Sequence, residues 1–537
     1  MEQDNIFIHK GEIDFYYPLK IETKLSYDDL CERIQNAINS VLHDYINHML
    51  SGVKENENSS EDSDNDFNKI RFYNPVKEHK GYKAWKYTDP TLEIVSDDLF
   101  VEIDEETGGI KLKTEAAEEY EKQYSATERD YDYSVRIYGV EFSNTQTRID
   151  FPIFRLQLCN GKRVWLNACL YVFKNKMVVM KIVLPLSDVS SNYLCEYEYD
   201  KYISSIDNAF CLRDFNDNQS IDCVEKCFIE LLKKVKGIKG MYINGSLSNI
   251  ILSDYEKMPK FIERLDDNLN KMLYKIICAP ISEMNWELKN DAKSYIESNC
   301  WGPHGIRYIT SINGRCLSII DKNLQDFVVS DFMRCNDLSV ITDDERDYVI
   351  DRITQDIRIN VEFVILVLML KKLNNSYSLF LKNTEPNKLH ETNRAYNEGV
   401  LYINSLFSNV YGSVREQLEC FERSMIYYLD EIRITQNNEA IDSILSQEKT
   451  QQEENLNNKL TVGSFLLTVF FGLKAINETL MLIRPYTRFF IGGDIPNVTI
   501  SDVSFALWIG VILLMMVSIL TQYKNKIIPI KKYILNL

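Results

Sequence analysis

Histidine is scarce in this chain: six in 537 residues, at positions 9, 43, 48, 79, 304 and 390, none in an H-x-x-x-H or H-E-x-x-H arrangement. Those spacings put two imidazoles on one helix face for zinc, so their absence removes the commonest metallohydrolase designs. The twelve cysteines are scattered. The closest pair, Cys223 and Cys227 in "CVEKCFIELLKKV", shares a helix face but has no second pair beside it, which is the pattern of core packing. Positive charge is also short, since 61 Lys and Arg stand against 79 Asp and Glu for a net −18. Phosphate backbones are neutralised by clustered Lys and Arg, so direct DNA or RNA binding is not expected. The phosphate loop G-x-x-x-x-G-K-S/T, the dinucleotide turn G-x-G-x-x-G and the nucleophile elbow G-x-S-x-G are all missing. With no catalytic, metal or cofactor motif, the chain is expected not to be an enzyme. "MEQDNIFIHK" lacks the basic-then-apolar layout of a signal peptide, which predicts reduced thiols in a cytoplasmic body.

Long apolar runs, by contrast, are present near the C-terminus. Twenty-one uncharged residues, 503–523, lie between Asp502 and Lys524, and at 1.5 Å per residue they cover the roughly 30 Å of a bilayer core. An earlier run, "TVGSFLLTVFFGLKAINETLMLI" (461–483), crosses only if Lys474 and Glu478 are included. The 524–537 tail carries four Lys and no acid, while the 484–502 connector carries two Arg and two Asp. The positive-inside bias therefore places the tail in the cytoplasm. A cytoplasmic body then needs an even number of spans, which predicts a multi-pass inner-membrane protein with both termini cytoplasmic. The ten-residue "VEFVILVLML" (361–370) is too short to cross and reads as a buried helix.

The expected organisation is an α+β cytoplasmic domain (1–341), a helical stalk (342–459), a first transmembrane helix (460–483), an outer loop (484–502), a second transmembrane helix (503–523) and a basic tail (524–537). Alternation in "IFIHKGEIDFYYPLKIET" predicts one or two strands, with a helix following from "SYDDLCERIQNAINSVLHDYINHML". Residues 54–68 are acidic and read as a flexible loop. Its Asp62, Asp64 and Asp66 imitate the start of a calcium loop without the Gly and final Glu that would complete it. Asn160-Gly161 and Asn175-Lys176 divide 154–186 into a three-stranded meander, and 220–235 and 258–278 supply covering helices. Thr342-Asp-Asp-Glu345 has capping-box spacing. Val414, Leu418, Phe421, Met425, Tyr428 and Ile432 form a helix seam, and an unbroken helix from Ser413 to Ile483 would hold 71 residues and reach about 105 Å.

On a helix, Gly463, Leu467, Phe470, Lys474, Glu478 and Met481 lie within about 40° of one line. A Lys at bilayer depth costs about 2.5–3.5 kcal/mol, so this face is expected to meet other helices or water. With Asn477, these are the candidate pore-lining residues. Trp301, His304 and Arg307 in "CWGPHGIRYITSINGR" offer an aromatic face, an imidazole and a guanidinium, the side chains that suit a small nucleotide-like ligand. A turn between strands with Trp301 in the core suits them equally.

A cytoplasmic α/β body, a long helix becoming the first span, a short outer loop, a second span and a Lys-rich tail resemble the CorA family of cation transporters, and "NNKLTVGSFLLTVFF" (457–471) resembles that family's approach to its pore helix. The resemblance implies a CorA-like homopentamer in membrane lipid whose first spans line a pore, with Lys524, Lys526, Lys531 and Lys532 as its inner basic ring. The family's Gly-Met-Asn is missing and the nearest match is Ala475-Ile476-Asn477. In this the chain resembles the CorA-like membrane effectors found beside type III CRISPR systems, which implies antiviral defence and gating by a nucleotide second messenger. A divergent magnesium transporter, a tethered interaction protein without a pore and a membrane-bound enzyme are the alternatives.

Overall fold

The alternation around "GEIDFYYPLKI" becomes one strand. β1, Phe7–Thr23, runs 17 residues without the break that two strands would need. Ile13, Phe15, Tyr17 and Leu19 enter one core, while Glu12, Asp14 and Tyr16 lie on the opposite face. The structure is a computed structural model that describes residues 6–38, 76–79, 82–88, 101–103, 110–112, 129–132, 134–136, 145–151, 154–195, 203–207, 221–243, 245–278, 292–380, 386–406, 410, 412–491 and 500–517. The acidic segment 54–68 and the basic tail lie outside them. The chain divides into two compact units, 1–437 and 438–537.

In the first unit the strands after β1 are β2 (Val76–His79), β3 (Tyr82–Thr88), β4 (Val101–Ile103), β5 (Ile110–Leu112), β6 (Gln146–Asp150), β7 (Phe154–Leu158), β8 (Arg163–Phe173), β9 (Val178–Ser190), β10 (Ile203–Asp207), β11 (Ile238–Ile243), β12 (Leu247–Tyr255), β13 (Cys300–Trp301), β14 (Ile306–Thr310) and β15 (Arg315–Ile320). Apart from a separate β4–β5 hairpin they form one mixed sheet, with main order β13-β14-β15-β12-β1-β9-β8-β6-β3-β2. Length places β1 at the centre: Phe7 to Leu19 pair antiparallel with β9, while its other edge takes β12 and then β11. The expected meander is β7-β8-β9, antiparallel throughout. Gly161 and Lys176, at φ of 80° and 66°, make its two turns.

Helices cover both faces. α1 (27–38), α2 (Ile221–Lys233), α3 (Asp267–Cys278) and α4 (Ala292–Ser298) pack on one side through Leu30, Ile34, Phe228, Leu273 and Ile296. α3 starts nine residues later than the 258–278 periodicity predicts. Pro259 brings no N–H, Lys257 sits at φ 59°, and the Ile262 N–H is held by Asp321 Oδ2 at 3.0 Å, so the segment is a pinned loop.

On the other face lie α5 (Lys322–Cys335), α6 (Asp343–Phe380), α7 (Pro386–Ser405) and α8 (Gly412–Ser424). The capping box at the start of α6 forms in both directions. Glu345 N–H donates to Thr342 Oγ1 at 3.3 Å, and Thr342 N–H to Glu345 Oε2 at 2.9 Å. "VEFVILVLML" is a buried helix, as its length predicts. Its nine apolar residues are at most 2% exposed, because α6 has the sheet on one side and α7 and α8 on the other. Residues 342–380 are thus part of the body's core, and the expected stalk 342–459 straddles both units.

The long helix does not run unbroken from Ser413. α8 ends at Ser424, six turn residues follow, and α9 occupies Glu431–Ile491, 61 residues or about 90 Å. Tertiary bonds hold this turn: Lys372 Nζ donates to the Tyr428 carbonyl, Asn375 Nδ2 to the Leu429 carbonyl at 2.8 Å, and Asp430 stands at φ 59°. Val414, Leu418, Phe421 and Met425 of the seam are buried in the body, with Tyr428 packed against them and Ile432 exposed. The second unit comprises most of α9 and a helix α10 over 500–517.

Candidate functional site

The second unit holds two helices long and apolar enough to cross a membrane, Gln452–Pro485 within α9 and Ile500–Val517 of α10. They touch along one face of α9. Trp508 Nε1 donates to the Thr468 carbonyl at 3.0 Å, and a Cβ on Gly472 would lie 3.1 Å from the Trp508 ring, so the absence of a side chain there admits the indole. Ser504 Oγ lies 3.2 Å from Asn477 Oδ1. The structure therefore places Asn477 in this seam, engaged with α10.

The remaining candidate pore residues sit elsewhere on α9. Leu467, Phe470 and Met481 are exposed, Phe470 to 75%, and a Cβ on Gly463 would meet nothing within 4 Å. Lys474 Nζ lies 3.9 Å from Glu478 Oε1 one turn on, with side chains 81% and 66% exposed. The two charges face each other along one helix, and α10 covers neither. The ring residues Lys524, Lys526, Lys531 and Lys532 lie outside the described residues.

Trp301, His304 and Arg307 do not converge. Trp301 pairs with Tyr308 across β13–β14 and stacks on its ring at 5.7 Å, packed against the α6-side core. Arg307 adjoins Tyr308 on the strand and so lies on the opposite face. His304 is exposed, with Nδ1 3.0 Å from Glu263 Oε1.

The sheet carries a buried charged cluster that sequence reading missed. Strand alternation turns Glu12 and Asp14 of β1, Arg148 and Asp150 of β6, and Lys181 of β9 away from the apolar core, toward α6. Helix α6 answers with Arg358 and Glu362, one turn apart. Lys181 Nζ donates to Glu362 Oε1 at 2.7 Å, and so does the Tyr171 hydroxyl at 2.7 Å. Arg358 Nη1 bridges both Glu12 oxygens at 3.3 Å, while Arg358 Nη2 and Arg148 Nη1 each donate to Asp130 Oδ2 at 3.2 Å.

Burial and pairing set these charges apart. Burial raises Glu12 to about 7 against the opposing pull of Arg358. For Glu362, burial is outweighed by Lys181, Arg358 and Arg148, which hold it down at about 2. Burial also raises Asp14 and pushes the Cys169 thiol up to about 12. The signal was in the sequence as single charges inside apolar runs: Glu12 and Asp14 in "EIDF", Lys181 in "MVVMKIVL", Glu362 in "NVEFVIL". Among the described residues no group of His, Cys, Asp and Glu is arranged to hold a metal ion.

Fold and site together define a mixed α/β sheet body followed by a C-terminal helical region bearing two helices apolar enough to cross a membrane. Comparison of the chain with protein-family models, with curated proteins and with solved structures finds no match.

Proposed function

We propose that the protein is a membrane channel or effector in which first spans from several copies of the chain surround a pore. The carrying observation is the exposed face Phe470, Lys474 and Glu478, left uncovered by α10. In hydrocarbon, a Lys–Glu pair directed at lipid is unfavourable by several kcal/mol. Neighbouring copies or a water-filled passage relieve that cost. Phe470, one turn before Lys474, then forms a hydrophobic constriction beside a charged ring. The CorA-like organisation of the sequence extends the proposal to a homopentamer in the inner membrane with both termini cytoplasmic. It further extends it to gating by a nucleotide second messenger bound in the body, as in type III CRISPR defence.

The test is ion flux into liposomes holding the purified full-length chain. Phe470→Ala removes the constriction and is expected to leak small cations without any ligand, while wild type stays closed. An inserted Phe470→Ala protein that remains as tight as wild type contradicts the pore. Magnesium flux through wild type without a nucleotide contradicts ligand gating and favours a transporter.

A further inference from the structure

Between the first half of α6 and the sheet lies a crevice of about 320 Å³, bounded by Lys10, Trp165, Asn167, Pro185, Gln355 and Arg358 among others. Asn167, Val183, Gln355 and Arg358 also line a smaller neighbouring cavity of about 60 Å³ bounded by Asp130 and Arg148. Small-molecule sites begin at about 300 Å³ and combine an apolar wall with a few convergent polar groups. Here Val164, Trp165, Pro185 and Leu186 give the apolar wall, Asn167, Gln355 and Arg358 the inner polar one, and charges of both signs on Lys10, Glu12, Lys162 and Asp351 complete the lining.

The polar wall has buried atoms that the protein does not satisfy. Arg358 Nε, Asp130 Oδ1 and Asn167 Oδ1 are out of solvent and have no hydrogen-bond partner among the described residues. Arg358 and Asp130 themselves are only 8% and 3% exposed. An unmatched buried donor or acceptor costs about 1–3 kcal/mol, more when charged. One of these atoms is a cationic donor and two are acceptors. Arg358 Nη2 and Asp130 Oδ2 are bonded to each other at 3.2 Å, so the free Nε and the free Oδ1 belong to one ion pair. A ligand meeting both must therefore offer an acceptor and a donor close together on its own frame, which a carboxylate and an ammonium on one carbon supply.

We infer that this crevice binds a small zwitterion of the α-amino-acid class, its carboxylate on Arg358 Nε, its ammonium on Asp130 Oδ1 and Asn167 Oδ1, and its side chain against Trp165 and Pro185. The crevice lies wholly within residues 1–437, so the site goes beyond the pore reading and stands without it.

Thermal unfolding and calorimetric titration of the detergent-purified full-length chain test the site, using the proteinogenic amino acids one at a time. At least one is expected to bind and raise the unfolding temperature. Its deaminated and decarboxylated analogues are expected to bind about tenfold more weakly or worse, as loss of one charged hydrogen bond requires. Asn167→Leu should weaken binding by a similar factor, and Gln355→Trp, which fills the crevice, should abolish it. Should Gln355→Trp fail to fold, the half-buried Asn167→Leu and the analogue series still decide. Binding by no amino acid, equal affinity for a deaminated analogue, or competition by AMP or inorganic phosphate instead would overturn the assignment.

Discussion

At the scale of single residues, Glu12 departs far from an ordinary carboxylate. Its folded value of about 7 exceeds the ordinary 4.5, so within that window the folded chain keeps a proton that the unfolded chain has released. Its contribution to stability is full below 4.5, falls as pH rises toward about 7, and is flat above. Glu362 acts with the opposite sign, because a folded value of about 2 gives stability that is lost only as pH falls below 4.5. Unfolding of the full-length chain followed across pH should show both limbs, and Glu12→Gln should make the upper one shallower, leaving the part that Asp14 contributes, without moving the lower one. A second residue-scale outcome concerns Gly11, where β1 shifts register against β12. A Cβ there would stand 2.3 Å from the Ile251 carbonyl oxygen. Gly11→Ala is therefore expected to destabilise by about 1–3 kcal/mol, measured by denaturant titration.

At the scale of elements, helix α6 joins the largest number of structural roles. It starts on a reciprocal cap, its first half lines the charged crevice, and the run 363–370 beyond it is apolar all round. Thr342→Ala removes the hydroxyl limb of the cap, leaves the backbone N–H to Glu345, and should cost about 1 kcal/mol. Leu368→Ala, at a site with no exposure, should cost about 2–5 kcal/mol. Equilibrium unfolding of the two variants measures the difference. The cap, the buried run and the β7-β8-β9 meander were legible in the sequence because each is decided by residues within a few positions. The break after α8 was not. Its seam spacing continues smoothly through Met425 and Tyr428, and the side chains that hold the turn, Lys372 and Asn375, come from more than fifty residues upstream. The charged cluster was hidden for the same reason, since Glu12, Arg148, Lys181 and Arg358 meet only once β1, β6, β9 and α6 are assembled.

At the scale of the whole molecule, the two long apolar helices were legible from composition, and the structure adds which face of α9 the second helix occupies. Thr468, Gly472 and Asn477 meet α10, leaving Phe470, Lys474 and Glu478 uncovered. Asn477 could not be assigned from helical periodicity alone, because its 60° offset from Lys474 fits either face. The account stands on the uncovered charged face having other copies of the chain as its neighbours. Replacing both charges, as in Lys474→Leu with Glu478→Leu, should leave insertion intact and loosen that association. The most direct measurement is the mass of the full-length 62.8 kDa chain in lipid nanodiscs, for wild type and for the double variant. The account predicts a wild-type multimer, five copies under the CorA-like proposal, that dissociates more readily in the variant. A wild-type monomer would contradict it.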